Sequence, residues 1–264
     1  MDFGLRDKVV LVTGGAKGIG LGVAQVLAGE GAIPVVVGRN ESDNAVAVRS
    51  ITDVGGRAWA VSAELTRTDD CQRAVEATLT KFGRIDGLVN NAGINDSVSL
   101  ETGDTERFIA SLRKNLLHYY EMAHFALPEL KKSRGAIVNV GSKVAETGQG
   151  GTSAYAAANG GRNSLTREWA VELAKYHIRV NAVIVAECWT PMYETWLGTV
   201  ENPAAMRRQI ENRIPFEHRM TTCEEIANMV VFLLSSCSSH TTGQLIHVDG
   251  GYVHLDRAVN VISE

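Results

Sequence analysis

The chain has 264 residues, a net charge of −4, and hydrophobic residues at 45% against 21% charged. That balance belongs to a folded globular protein, and the absence of any run of like charge speaks against a nucleic-acid or anionic-membrane partner. A chain this long buries enough apolar surface to need no disulfide staples; Cys71, Cys188, Cys223 and Cys237 are scattered without C-x-x-C or metal-ligand spacing, so reduced thiols and no metal site are expected.

The opening MDFGLRDKVV runs into a strand pattern without the basic stretch and apolar core of a secretory signal. No segment approaches about 18 uninterrupted apolar residues, so a soluble, cytoplasmic protein is expected. Strands are predicted at Val9–Thr13, Ile33–Val37, Ala58–Ala63, Gly87–Asn90, Ala136–Val140, Arg179–Ile184 and Leu245–Val248. These runs are apolar throughout rather than alternating, as in strands covered on both faces. A helix follows Gly18, another begins near Thr68-Asp69-Asp70 with the threonine as cap, and long helices begin near Glu106 and Thr152. The alternation predicts a single α/β domain over residues 1–264, doubly wound, its parallel sheet covered by helices on both faces. After Ile184 the rhythm breaks for some sixty residues; an insertion at about 186–220, beside the strands' carboxyl ends, is expected to cover a substrate.

Thr13-Gly14-Gly15-Ala16-Lys17-Gly18-Ile19-Gly20 joins the first strand to the first helix. Glycines in such a turn let the backbone approach a pyrophosphate, and the helix start offers free N–H groups and a positive dipole end. At the end of the second strand, where an acid would hold a ribose 2′-hydroxyl and favour NAD, stand Gly38 and then Arg39. A guanidinium grips a phosphate, and Lys17 adds a second positive charge on the same side, so NADP is expected as the preferred cofactor, with NAD as the alternative.

These motifs, with Asn90-Asn91-Ala92-Gly93 after the fourth strand, Ser142 thirteen residues before Tyr155, and Val248-Asp249-Gly250-Gly251 near the end, resemble the short-chain dehydrogenase/reductase family along nearly the whole chain. The resemblance implies a Rossmann-type fold with seven parallel strands. It implies Tyr155 as general acid/base, Ser142 as hydrogen-bond partner of the substrate oxygen, and Asn115 as holder of a proton-relay water. Gly14, Lys17, Gly18, Ile19 and Gly20 would bind the pyrophosphate side. Asn91, Ala92 and Gly93 would line the adenosine ribose, and Glu64 and Leu65 would flank the adenine. Thr190, with backbone help from Cys188, would fix the nicotinamide carboxamide.

Two departures stand out. The family pattern is Tyr-x-x-x-Lys, whereas Tyr155 is followed four residues later by Asn159, on the same helix face. A lysine there would hold the nicotinamide ribose and favour the phenolate; asparagine hydrogen-bonds but brings no charge, so impaired turnover near neutral pH is expected. Three ways round remain open: Arg162 reaching back from one turn further, Lys143 beside Ser142 lending its charge, or work at alkaline pH. As a residue of a long helix, Arg162 is expected on the surface. The second departure is Val185-Ala186, where the family has Pro-Gly; this loosens the turn beside the nicotinamide.

The predicted pocket segments carry polar Asn95, Asp96, Gln149, Glu187 and His254, with Trp189 and the tail from Tyr252 to Arg257. Ser142, Gln149, Tyr155, Glu187 and Trp189 are the candidate substrate contacts, suited to a hydroxyl-rich small molecule. The phrases Asn115–Tyr120, Gly148–Ser153 and His254–Arg257 are similar to L-fucose dehydrogenase-like enzymes, which implies oxidation of an aldose at C1 to a lactone. Alternatives are a 3-oxoacyl or steroid-type carbonyl reductase and, motivated by Asn159, a catalytically weak NADP-binding sensor or scaffold. Small residues around Gly160 and Gly161 permit close helix packing, and a homotetramer is expected.

Overall fold

Seven short runs rich in valine and isoleucine form one parallel sheet in the computed structural model, which describes residues 2–255. Its strands are β1 (Val9–Thr13), β2 (Ile33–Gly38), β3 (Trp59–Ser62), β4 (Gly87–Asn90), β5 (Ala136–Ser142), β6 (Arg179–Val185) and β7 (Leu245–Val248), in the order β3-β2-β1-β4-β5-β6-β7. All seven predicted strands are present. β3 is trimmed at both ends, while β2, β5 and β6 run on toward their carboxyl ends. Asp256 and Arg257 of the predicted pocket lie outside the described residues.

Between the strands lie α1 (Gly18–Gly29), α2 (Glu41–Thr52), α3 (Thr68–Phe82), α4 (Thr105–Leu112), α5 (His118–Ser133), α6 (Ser153–Leu173), α7 (Pro191–Leu197), α8 (Pro203–Glu211) and α9 (Cys223–Leu234). Successive strand residues point to opposite faces, so each apolar run supplies two cores. Val9, Leu11, Val35, Leu88 and Ile137 pack with Val75 of α3, Met122 of α5 and Trp169 of α6. Val10, Val12, Val89 and Val138 pack on the other side with Val23 and Leu27 of α1 and Ile226 and Val230 of α9. Each such side chain, fully buried, contributes about 1.5–3 kcal/mol, which is why the sheet centre forms from sequence pattern alone.

The chain winds outward in one direction from β1 to β3 and in the other from β4 to β7, so the loops after β1 and β4 part and leave a crevice at the sheet's carboxyl edge. The connection from β6 to α9 holds α7 and α8, each started by a capping side chain and a proline: Thr190 accepts from Tyr193 N before Pro191, and Asn202 accepts from Ala205 N before Pro203. One expectation is corrected. Thr68 is the first residue of α3 rather than its cap, because Arg67 holds the extended conformation there; the Thr68 hydroxyl instead donates to Glu121 Oε1 at 2.7 Å. The four cysteines are free, and Cys188 and Cys223, distant in sequence, approach to 3.9 Å between sulfurs because α9 starts beside the exit of β6.

Candidate active site

The glycine-rich turn is held by contacts that leave no room for side chains. Gly14 has φ +63°, and a Cβ there would stand 3.0 Å from Ala92 Cα. At Gly20 a Cβ would stand 2.2 Å from the Gly14 carbonyl oxygen and 2.6 Å from Asn91 Nδ2. Thr13 fastens the turn to the loop after β4: its hydroxyl accepts from Asn91 N at 2.8 Å and Ala92 N at 3.1 Å, while Asn91 Nδ2 donates to Thr13 O at 2.9 Å. Lys17, at the head of α1, makes no capping bond, and the first turn holds no acid. A helix start with N–H groups open, basic side chains near and no acid fits an anionic pyrophosphate. Gly18 places Thr190 against the turn: a Cβ there would touch the threonine methyl at 3.4 Å.

At the carboxyl end of β2, Gly38 closes the strand against Asn44 of α2. Asn44 Nδ2 donates to Gly38 O at 2.8 Å, and a Cβ on Gly38 would meet Asn44 Oδ1 at 2.6 Å. Asn44 Oδ1 is a buried acceptor without a partner among the described residues. Lys17 lies 2.8 Å from Asp43, and Arg39 lies 3.8 Å from Glu64. Both cations are largely exposed, and such pairs hold them by no more than about 1 kcal/mol, so either is free to swing to a stronger anion. Glu64 Oε1 accepts from the amide and hydroxyl of Thr66, and Leu65 is buried.

On the other side of the crevice, Tyr155, Asn159 and Arg162 stand at i, i+4 and i+7 of α6 and so share one face. Tyr155 is half-buried; Asn159 is fully buried. Asn159 Nδ2 donates to Tyr155 O at 2.9 Å, and its Oδ1 accepts from Arg162 Nη1 at 3.0 Å. The expectation that Arg162 lies on the surface is overturned: it is only 3% exposed. Its face of the helix turns inward, onto the π-helical turn Arg113–Leu117 between α4 and α5. There Arg162 Nε donates to Asn115 O at 2.7 Å, and Nη1 also donates to Val140 O at 3.1 Å. The guanidinium lies 4.2 Å over the Tyr119 ring and 6.0 Å from the centre of the Tyr155 ring. The Asn115 side chain points elsewhere: Oδ1 accepts from Ile94 N at 2.8 Å, and Nδ2 donates to Ser111 O at 3.1 Å. Burial, and then the Arg162 charge, push His118 down to about 3, so it is neutral.

Ser142 ends β5, with Val185 of β6 as its register partner. Beyond it, buried Lys143 ion-pairs with Glu187 Oε1 and lies 4.0 Å over the Tyr252 ring, while Tyr193 OH donates to Glu187 Oε2 at 2.8 Å. Burial and that carboxylate push the Tyr193 phenol up. Trp189 carries Arg207 of α8 at 4.4 Å over its ring. Gln149 is exposed in the loop before α6, where Gly150 and Gly151 both take positive φ. Glu146 Oε2 meets His247 Nε2 at 3.0 Å, and His254 stacks edge-on against His247 at 4.4 Å. Thus the carboxyl ends of β5, β6 and β7 gather one polar set, while Gly14–Gly20, Arg39, Glu64 and Asn91–Gly93 form another along β1, β2 and β4.

The sequence names Arg162, Lys143, Glu187 and His254 but not how they come together, and it passes over Glu146 and His247. Arg162 was legible from its i+7 spacing to Tyr155, but its burial depends on the π turn and on Gly93, where a Cβ would stand 2.8 Å from Arg162 Nη2. The Lys143–Glu187 pair joins residues 44 positions apart. Glu146, His247 and His254 bring their ligand atoms within 4.8 Å of one another without any spacing signal.

The chain matches the family described as enoyl-(acyl carrier protein) reductase over residues 14–253. It is 38% identical over 251 residues to the 3-oxoacyl-(acyl-carrier-protein) reductase of Thermotoga maritima, across 94% of this chain and 99% of that one. It is 33% identical over 245 residues to the L-fucose dehydrogenase of Bos taurus, across 92% and 88%. The crystal structure of Cj0485 dehydrogenase is similar with TM-score 0.93 and 45% identity, over 98% of this chain and 99% of that one. Levodione reductase is similar with TM-score 0.89 and 32% identity, over 94% and 98%. With its fold and ordered motifs, the chain belongs to the short-chain dehydrogenase/reductase family, oxidoreductases that use a nicotinamide cofactor.

Proposed function

We propose that the protein is an NADP-preferring dehydrogenase of a hydroxyl-rich small molecule, oxidising an aldose of the L-fucose type at C1 to its lactone. The observation that carries this reading is the polar set beyond Ser142, in which the Glu187 carboxylate is fixed by Lys143 and Tyr193. Fixed carboxylates bind sugar hydroxyls well and acyl chains poorly. The L-fucose dehydrogenase of Bos taurus among the relatives supports it. When bound, the nicotinamide supplies the hydride acceptor. Tyr155 takes the proton from the substrate hydroxyl, Ser142 donates a hydrogen bond to the substrate oxygen, and Gln149, Glu187 and Trp189 orient the sugar. On the cofactor, Gly14–Gly20 hold the pyrophosphate, Lys17 and Arg39 the 2′-phosphate, Glu64 and Leu65 the adenine, Asn91–Gly93 the ribose, and Cys188 and Thr190 the carboxamide. Asn115 acts by fixing the loop at Ile94 and offering its carbonyl to α6.

The segment 186–220, with α7 and α8, is the cover over the substrate. The protein works in the cytoplasm as a homotetramer, which exposed Tyr120, Ile109 and Val171 on the outer helices support; a monomer by light scattering would count against that assembly. Carbonyl reduction of a 3-oxoacyl thioester is the second reading, favoured by the Thermotoga maritima relative.

The test follows nicotinamide absorbance with NAD and NADP against L-fucose, D-arabinose and a 3-oxoacyl thioester from neutral to alkaline pH. Turnover of the sugars with NADP, abolished by Tyr155→Phe, is the expected result. Turnover confined to the thioester moves the protein to the second reading, and tight NADP binding without turnover on any substrate makes it a sensor.

A further inference from the structure

Arg162 is a buried cation without an opposing carboxylate. Among the described residues no acid lies within 4.0 Å of its guanidinium, and Nη2 is buried with no hydrogen-bond partner. Leaving a charge buried and unpaired is costly, so one that is kept calls for a reason. The charged and titratable groups around it sharpen the point. From α5, His118 is neutral, and Tyr119 donates its hydroxyl proton to Val140 O at 3.0 Å. From the β5 exit, Lys143 is cancelled by Glu187, and Glu146 is taken by His247. From the π turn, Lys114 is half-exposed and faces Asp96. Of these, only the guanidinium carries an uncancelled charge toward the Tyr155 ring, 6.0 Å away.

We infer that Arg162 supplies, from seven residues along α6, the positive charge that the family places at position 159, and that Asn159 serves to hold it. This rests on Tyr155 being the proton acceptor. Three features fit. Asn159 presents its acceptor Oδ1 to Arg162, where a lysine would present a second cation. Arg162 is clamped at Nε and Nη1 by the Asn115 and Val140 carbonyls, so it cannot turn to solvent. And position 93 is glycine, the residue that leaves space for Nη2. The missing lysine therefore does not imply a weak enzyme: a fixed guanidinium stands 6.0 Å from the centre of the half-buried Tyr155 ring.

The test compares Arg162→Gln, Asn159→Lys and the double variant Asn159→Lys/Arg162→Gln, each checked for folding by circular dichroism. Tyrosinate absorbance is titrated on the cofactor-free protein, with Tyr155→Phe as the subtraction. Removing one charge at this distance is expected to move the Tyr155 ionisation, and the alkaline rise of kcat/KM, upward by about one to two pH units. Asn159→Lys alone sets two buried cations side by side; it is expected to lower the melting temperature without raising the rate. The double variant is expected to regain both the ionisation and the pH profile. A folded Arg162→Gln with unchanged titration and pH profile overturns the inference. If Arg162→Gln does not fold, a folded double variant decides: restored ionisation supports the inference, and ionisation left displaced upward overturns it. Turnover that survives Tyr155→Phe removes the reading of Tyr155 itself, whereas turnover lost there but untouched by Arg162→Gln removes only the role of Arg162.

Discussion

On the β1–β4 side of the crevice the chain shapes its site by leaving side chains out; on the β5–β7 side it does so by burying charged ones. Gly14 and Gly20 press backbone against backbone, and Thr13 joins two loops with one hydroxyl. Across the sheet, Lys143 reaches Glu187 and Arg162 reaches two carbonyls, with both cations buried. The first kind of construction is rigid and insensitive to pH. The second stores its specificity in unscreened charge, so it answers to protonation and to loss of a counter-charge.

The largest expected effect strikes the charged side. Glu187→Leu leaves Lys143 buried without its counter-charge and is expected to destabilise the fold by about 3–5 kcal/mol, read by denaturant unfolding; a loss below about 1 kcal/mol breaks the contrast between the two sides. Next comes Gly20→Ala. Its methyl collides with the Gly14 carbonyl and the Asn91 amide, and is expected to cost about 1–3 kcal/mol while weakening cofactor binding at least tenfold by fluorescence titration. Native affinity in that variant would show that the turn gives way, and that glycine there is no structural requirement.

The smallest effect sharpens the difference in pH response. Burial, then Arg162, holds His118 near 3 in the folded state against 6.5 for the free side chain. The unfolded chain takes up a proton that the folded one refuses, so this stabilisation is complete above 6.5 and is lost as pH falls from 6.5 toward 3. The slope reaches about 1.4 kcal/mol per pH unit. His118→Asn is expected to flatten that acid limb in melting-temperature measurements; an unchanged limb would place the titration elsewhere.

Much of the first construction was legible in the sequence, because a requirement for no side chain fixes a letter at a position. Glycines at 14, 18 and 20 announce the turn, and the unbroken apolar runs announce strands covered on both faces. The charged side was less legible for a physical reason. The long Arg162 side chain reaches back to Asn159, and a glutamate 44 residues away neutralises Lys143. Reach decouples the residue from the place where its charge acts, so position-by-position comparison registers Asn159 as a loss. The cap of α3 was misplaced for a related reason, since Arg67 holds the boundary through backbone conformation rather than a side-chain bond.

The contact between Gly38 and Asn44 also constrains how this chain can change. An acid at 38 would bring its Cβ to 2.6 Å from Asn44 Oδ1. A side chain there obliges the Asn44 amide to shift, and that amide also carries the bond to the Gly38 carbonyl. Under the NADP reading proposed above, coenzyme choice is therefore tied to this contact as well as to the cations at 17 and 39.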